Sequence, residues 1–319
     1  MRARTAVLWA VGLGSTAFFG WLAVRGTHPD EIWDAMRKAN VSWLVPALAV
    51  LAVAVLLRAI RWRSLFPPET RPPLGPVTSA MLVGLAVNSL IPFRAGEAAR
   101  ILALGRRAGT SRVEILATVA LERVLDVFCL LVLLFVALPV LPDVTWIGSA
   151  AVLAAVLAIG LAAAALTFAI WGDRPLHLLA RLFGRLPFVH EDEIERGGHS
   201  LTRGLVGLRN PRIAFAGFAW TTLGWIVTSV SFWIATLAFH FDLPLDAGLL
   251  VLTAVGLSLV LPAAPGGLGV FEAAVVLALD AYDIPRAEAL SYAFVLHAFN
   301  FFPYLVAGGI ALRFTRPQR

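Results

Sequence analysis

Six runs of this sequence are long and apolar enough to cross a lipid bilayer: 6–24, 41–60, 113–141, 146–171, 213–239 and 289–312. A span needs about 20 apolar residues, because the hydrocarbon core is ~30 Å thick and a helix rises ~1.5 Å per residue. The chain is therefore expected to be an all-α polytopic membrane protein, with about six full transmembrane helices, folded as one membrane domain over 1–319.

Composition agrees. Hydrophobic residues make up 59% of the chain and charged residues 14%, where a soluble domain carries about a quarter. That excludes an ordinary soluble enzyme and a disordered chain. The one cysteine, Cys129, excludes a disulfide framework, a thiolate cluster and a zinc ribbon. No metal site and no cofactor are expected. The balance is basic, with 26 Lys+Arg, 20 Asp+Glu and a net charge of +6, and Lys38 is the single lysine. In so apolar a chain this excess points to a membrane surface, and no nucleic-acid partner is expected. Arginine forks onto phosphate, so anionic lipid headgroups are the natural partners.

Four further apolar stretches, 77–91, 97–105, 248–261 and 270–282, are too short or too interrupted to span comfortably. A Pro/Gly element divides each pair: Pro92-Phe93-Arg94-Ala95-Gly96 in the first, Pro262 to Gly269 in the second. Proline and glycine break helices, and broken backbone at membrane depth is tolerated only where protein or a cavity surrounds it. Each pair reads as a re-entrant helical hairpin, 77–108 and 248–283. The alternative is two ordinary spans per pair.

Charge sets the orientation. With the N-terminus inside, the cytoplasmic face carries Arg2, Arg4, Arg61, Arg63, Arg71, Arg106, Arg107, Arg112, seven arginines from Arg174 to Arg212, and Arg313, Arg316 and Arg319. The outside keeps Arg25, Arg37, Lys38 and Arg286. This bias places both termini in the cytoplasm and the chain in the inner membrane. The first run reads as a retained anchor, since Phe18-Phe19-Gly20-Trp21 offers no small-residue cleavage site. Segment 173–212 is the one long loop, a cytoplasmic amphipathic linker. Leu176, Leu179, Leu182, Phe183 and Leu186 recur at helical spacing between arginines. Arg58, Arg61 and Arg63 close the second span, and with Trp62 they read as snorkelling residues of the inner interface.

The chain also repeats itself. Ser89-Leu, Pro92, Gly96 and the octet Glu97-Ala-Ala-Arg100-Ile-Leu-Ala-Leu104 are answered by Ser258-Leu, Pro262, Gly269 and Glu272-Ala-Ala-Val-Val-Leu-Ala-Leu279. Arg112 and Glu114 are answered by Arg286 and Glu288, and Arg123 and Asp126 by His297 and Asn300. Repeat 1 covers 41–141 and repeat 2 covers 213–312. Three spans separate the hairpins, so the second copy is expected to be inverted in the membrane. Inverted repeats with broken helices are a transporter architecture, with the substrate site where the repeats meet.

The polar residues of these copies are the candidate substrate-binding set: Asn88, Arg94, Glu97, Arg100, Glu122, Arg123, Asp126, Glu272, His297 and Asn300. Glu97 starts a helix, where a carboxylate is favourable, and a local pair with Arg100 explains it adequately. Arg94 and Arg100 beside a helix start are suited to phosphate. Glu122, Arg123 and Asp126 lie about ten residues inside a span, where ionisable groups are costly. They serve either as an internal salt bridge or as a polar lining. Pro92, Gly96, Pro262, Pro265, Gly266, Gly267 and Gly269 form the helix breaks and line the expected cavity. Close approach of the glycine-rich turn to a facing helix or to a ligand explains its composition.

At these residues the sequence resembles the transmembrane region of lysylphosphatidylglycerol synthase, the flippase-like domain family. The likeness is carried by Arg58-x-x-Arg61-Trp62, Asn88-Ser-Leu-Ile-Pro92-Phe-Arg94-Ala-Gly96-Glu97, Leu121-Glu122-Arg123-x-x-Asp126 and Leu261-Pro262-x-x-Pro265-Gly266-Gly267-Leu268-Gly269-x-x-Glu272. It implies a protein that moves lipids or lipid-linked headgroups between leaflets. In the full synthases aminoacyl transfer belongs to a separate soluble domain, so lysyl transfer is not expected here.

The expected function is a lipid flippase or translocase for an anionic or phosphate-bearing lipid. A membrane enzyme acting on a lipid-linked sugar or phosphate is the alternative, with Glu97, Glu122, Asp126 and Glu272 as acids or bases. A non-transporting partner subunit of a lipid-synthesis complex, or a membrane scaffold, is a third, and a homo-oligomer or a lipid-synthesis partner is the expected assembly. Without a nucleotide, metal or glycosyltransferase motif, the enzyme reading is the weaker one.

Overall fold

The computed structural model describes residues 2–91, 95–142, 210–258 and 265–314, with scattered positions between 148 and 167. Most of the expected 146–171 span, the 173–209 part of the linker, and Pro92, Arg94 and Pro262 lie outside the described residues. Those described form ten α-helices and no strand. In order these are α1 (Arg2–Val24), α2 (Pro29–Lys38), α3 (Leu44–Ser64), α4 (Leu74–Leu90), α5 (Ala95–Ala108), α6 (Arg112–Ala137), α7 (Pro211–Leu237), α8 (Leu245–Ser258), α9 (Val270–Asp280) and α10 (Arg286–Phe314).

Three of them, Val41–Ser64, Arg212–Leu237 and Arg286–Arg313, are long and apolar enough to cross a membrane. Helix α6 has 26 residues, ~39 Å at the helical rise, but Glu122, Arg123 and Asp126 interrupt its apolar run. The outward surface suits lipid, with Val45, Phe135, Val136, Phe215, Phe302 and Val306 all exposed.

Order and length recur. A long helix, two short ones and a long one make up α3–α6, and the same series makes up α7–α10. The short helices have 17, 14, 14 and 11 residues, all below the ~20 a span needs. Their connections follow the same exchange: α3 packs on α7, α4 on α10, and α6 on α8.

Helices α3 and α7 run antiparallel. Ser231 Oγ donates to the Ala47 carbonyl at 2.7 Å near one end, and Gly217 faces Leu65 at the other. Helices α4 and α5 form an antiparallel hairpin, with Arg107 near Ser79 at the open end and Gly96 against Asn88 at the closed end. A Cβ on Gly84 or on Gly96 would overlap the opposite arm, so the two glycines set how closely the arms approach. Helices α8 and α9 are paired in the same way. Tyr282 Oη donates to Asp246 Oδ2 at 2.7 Å where their outer ends meet.

Two apolar cores form, and the larger also draws Leu51 from α3 and Leu130 and Leu134 from α6. Trp62, Phe66, Met81, Leu104 and Ile115 fill the first. Phe271, Leu279, Leu290, Tyr292 and Leu296 belong to the second, larger one. Sequence reading passed over α2, a ten-residue helix with no buried residue. Its signals were Pro29 at the first position, Asp30 and Glu31 in the first turn and Arg37 and Lys38 in the last. It lies against α10, where Ser291 Oγ donates to the Ile32 carbonyl at 2.8 Å.

Two expectations are corrected. Trp62 is not an interfacial aromatic: it is fully buried, and its indole N–H donates to Thr118 Oγ1 at 3.1 Å. Arg61 does not snorkel, being 3% exposed and paired with acids on α6. The apolar core of the first half has taken the end of α3 in among its helices.

Candidate functional site: a buried ionic network beside two helix breaks

Glu122 stands at the centre of a network that joins α3, α5 and α6. It is 2% exposed, so its charge is affordable only with partners in hand. Arg100 supplies a fork, Nη1 to Oε1 at 2.9 Å and Nη2 to Oε2 at 2.8 Å. Arg61 Nη2 reaches Oε1 at 3.0 Å, and its Nη1 pairs with Asp126. Arg123 Nη2 adds contacts to Glu122 Oε1 at 2.7 Å and Asp126 Oδ2 at 3.2 Å. Three guanidiniums and two carboxylates thus lock three helices together by charge-assisted bonds.

Helix geometry produces this arrangement. Glu122 and Asp126 are four apart and share a face of α6, which is the face turned to Arg61. Arg100 reaches across because Gly84 leaves room for its stem, and its guanidinium lies over Trp62, 3.9 Å from the ring centroid. The local pair expected between Glu97 and Arg100 does not form. Arg100 is directed to Glu122, and Glu97 sits 3.6 Å from Arg123 Nε. Arg123 and Glu97 are the open rim of the network, with side chains 39% and 28% exposed.

The second cluster lies on α9 and α10. Glu272 Oε2 accepts from the Gly269 N–H at 2.7 Å and so closes the first turn of α9. Its other oxygen meets His297 Nδ1 at 2.5 Å. Phe271 and Phe301 flank the imidazole. Gly266, Gly267 and Gly269 have φ of 73°, 79° and 80°, a left-handed backbone that favours glycine. The close approach expected of this turn is to facing helices. Gly269 lies against Thr16 and Gly20 of α1, and Thr16 Oγ1 donates to the Leu268 carbonyl at 3.0 Å.

Residues 88 and 89 bring the two clusters side by side. Asn88 Oδ1 accepts from Gly96 N at 2.8 Å and holds the start of α5, where Glu97 stands. The Ser89 carbonyl lies against Gly266, and so does His297 Nε2, each 3.5 Å from where a Cβ would stand. Asn300 is one turn beyond His297 on α10 and bonds the Leu296 carbonyl at 2.9 Å. The structure therefore brings together Asn88, Glu97, Arg100, Glu122, Arg123 and Asp126 on one side of this junction, with Glu272, His297 and Asn300 on the other. Sequence reading missed Arg61. Ala47, Ala54 and Arg61 are seven apart on α3 and all buried, so the heptad spacing was the available signal.

Among the described residues no group of three or more His, Cys, Asp or Glu is placed to hold a metal ion. Two cavities lie away from the junction. One of about 700 Å³ opens between α2, the 239–241 turn and the start of α10. The other, of about 250 Å³, is an apolar groove between α3, α4 and α10.

Comparison with known proteins places this geometry in context. The family model for the lysylphosphatidylglycerol synthase TM region matches residues 7–308. Two relatives from Methanothermobacter thermautotrophicus, each named UPF0104 membrane protein, are 25% identical. One aligns over 87% of this chain and 85% of its own length, the other over 88% and 86%. A protein named Glycosyltransferase AglD from Haloferax volcanii is 26% identical over 85% of this chain and 48% of its own length.

Proposed function

We propose, for a chain that belongs to the lysylphosphatidylglycerol synthase TM region family, that it is a lipid translocase for an anionic or phosphate-bearing lipid. Family membership makes it a helical membrane protein. The finer reading takes α4–α5 and α8–α9 as re-entrant hairpins of an inverted repeat in the inner membrane, both termini cytoplasmic, with the lipid headgroup passing where the hairpin tips meet.

One observation carries this reading. The Ser89 carbonyl, Gly266 and His297 Nε2 converge beside Asn88, while Arg123 and Glu97 keep part of their side-chain surface open next to it. Exchange of the helix pairs α4·α10 and α6·α8 supports two related halves, and a site between such halves is where transporters bind. Ionisable groups at membrane depth are costly, and where they occur they mark substrate paths. The buried network anchors the structure, and the rim and the His297 side provide the contacts for a headgroup.

The test is a liposome reconstitution with fluorescent phosphatidylglycerol, its outer-leaflet fluorescence followed by dithionite bleaching. Protein-dependent exposure of inner-leaflet lipid is expected. Bleaching no faster or deeper than in empty vesicles, across several headgroups, defeats the proposal.

The 2.5 Å contact of Glu272 with His297 favours a second reading, an enzyme acting on a lipid-linked substrate, because a carboxylate-held imidazole is suited to proton transfer. Turnover of a lipid-linked sugar or phosphate by the purified protein distinguishes the two.

A further inference from the structure

Four arginines stand near one another at the end of α3 and beside it. Carboxylates meet Arg61, Arg100 and Arg123. Arg58 is different. It lies one turn before Arg61, inside the apolar span Val41–Ser64, and has no carboxylate within ion-pairing reach among the described residues. Its guanidinium lies 4.8 Å from the centroid of the Trp225 ring, and Nη2 donates to Thr228 Oγ1 at 3.2 Å. Neither partner is an anion. A half-buried guanidinium without a counter-ion is costly at membrane depth, and the indole N–H of the same Trp225 is itself buried without an acceptor.

An apolar groove begins beside it. Leu48, Leu51 and Val55 of α3, Leu82 of α4, and Tyr304 and Ala307 of α10 line a space of about 250 Å³. Arg58 follows Leu51 and Val55 on the same stripe of α3, two turns and one turn further on. Tyr304 stands in the groove wall on the α10 side. Leu48 and Leu56 are exposed, so the groove opens sideways to the surrounding lipid. In a bilayer the neighbouring tails are as apolar as the groove, so its walls supply shape and position. The unmatched positive charge supplies the preference for phosphate.

We infer that α3, α4, α7 and α10 form a binding site for one phospholipid, with its phosphate on Arg58 and one acyl chain in the groove lined by Leu51, Val55, Leu82 and Tyr304. The inference concerns binding and does not rest on translocation. A protein that holds lipid here and moves none satisfies it.

Native mass spectrometry of the full chain in detergent reads it directly. Titration with dioleoyl phosphatidylglycerol is expected to give one tightly retained lipid. Dioleoylglycerol, with the same chains and no phosphate, is expected to bind at least tenfold more weakly. Glycerol 3-phosphate, a phosphate without chains, is expected not to displace the phospholipid at equal concentration. Arg58→Gln is expected to lower phospholipid retention at least tenfold, and Arg63→Gln, which removes a basic residue at the end of the same helix, to leave it unchanged. Ala52→Phe fills the groove without touching Arg58 and is expected to lower retention as well, which keeps the test open should Arg58→Gln fail to fold. Wild-type retention by folded Arg58→Gln or by Ala52→Phe overturns the inference. Displacement by glycerol 3-phosphate overturns it too, by showing a site for soluble anions.

Discussion

Arg100 of α5 grips both carboxylate oxygens of Glu122 on α6, at 2.9 and 2.8 Å. Its guanidinium plane covers Trp62 from α3 at the same time. One side chain therefore ties three helices. Glu122 is equally committed, since Arg61 and Arg123 share it. Glu122→Gln leaves buried guanidiniums short of a counter-charge, and breaking a buried pair in this way costs about 3–5 kcal/mol. Thermal unfolding in detergent is expected to show this as a large loss of stability, well above that of Arg123→Gln. An unfolding temperature for Glu122→Gln close to wild type sets the anchoring role aside.

Arg123 sits at the rim, where part of its side chain is open. When Arg123 is removed Glu122 still keeps Arg61 and Arg100, so the loss is smaller than that of removing Glu122 itself. Arg123→Gln is therefore expected to fold with a smaller stability change than Glu122→Gln and to lower lipid movement in liposomes about tenfold or more. If its transport matches wild type, the rim is not on the lipid's path.

The turn of α9 separates structure from function at Glu272. The Glu272→Gln variant keeps an amide oxygen for the Gly269 N–H, so the cap survives while the charge facing His297 is lost. Glu272→Ala loses the cap as well, at a cost of about 0.5–2 kcal/mol. Equal stability of Glu272→Gln and wild type, with impaired lipid movement in both Glu272→Gln and His297→Ala, is the expected outcome. Full activity in both variants limits the pair to holding the turn.

Two glycines of α4 give a matched comparison. A Cβ on Gly84 overlaps the Arg100 stem, whereas a Cβ on Gly75 meets nothing within 4 Å. Gly84→Ala is expected to destabilise by about 1–3 kcal/mol. Gly75→Ala is expected to be neutral or to stabilise by up to about 1 kcal/mol. Chemical denaturation of both variants under one condition measures the difference.

Orientation is open to labelling, because Cys129 is buried and gives little background. Arg37→Cys is expected to react with a membrane-impermeant maleimide on intact cells, and Arg107→Cys only after the membrane is opened. The reverse pattern refutes cytoplasmic termini.

The sequence disclosed the helices well and their partnerships poorly, for a physical reason. Length and apolarity are local, so α3, α7 and α10 fall close to the runs 41–60, 213–239 and 289–312. The break at Gly269 was legible because glycine acts on its own backbone, whereas Gly96, expected as a break, lies inside α5 and serves the close approach of the hairpin arms. The spacing of Glu122 and Asp126 placed both on one face. What that face meets is a tertiary matter. An arginine near a helix end is equally compatible with lipid phosphate and with a buried acid, and only the packing of Trp62 on Thr118 decides for Arg61. The same holds for Glu97 and Arg100. Helical neighbours by spacing, they find better partners on α6 in Arg123 and Glu122.

The network around Glu122 has one more property. Arg61, Arg100 and Arg123 are matched in number by Glu97, Glu122 and Asp126, so the group carries no net charge. Moving one elementary charge across 100 mV involves ~2.3 kcal/mol. A neutral group that travels as a unit does no such work. Because Arg61 belongs to α3, this holds only for a rocking of α3, α5 and α6 together, in which the network itself adds no voltage-dependent work.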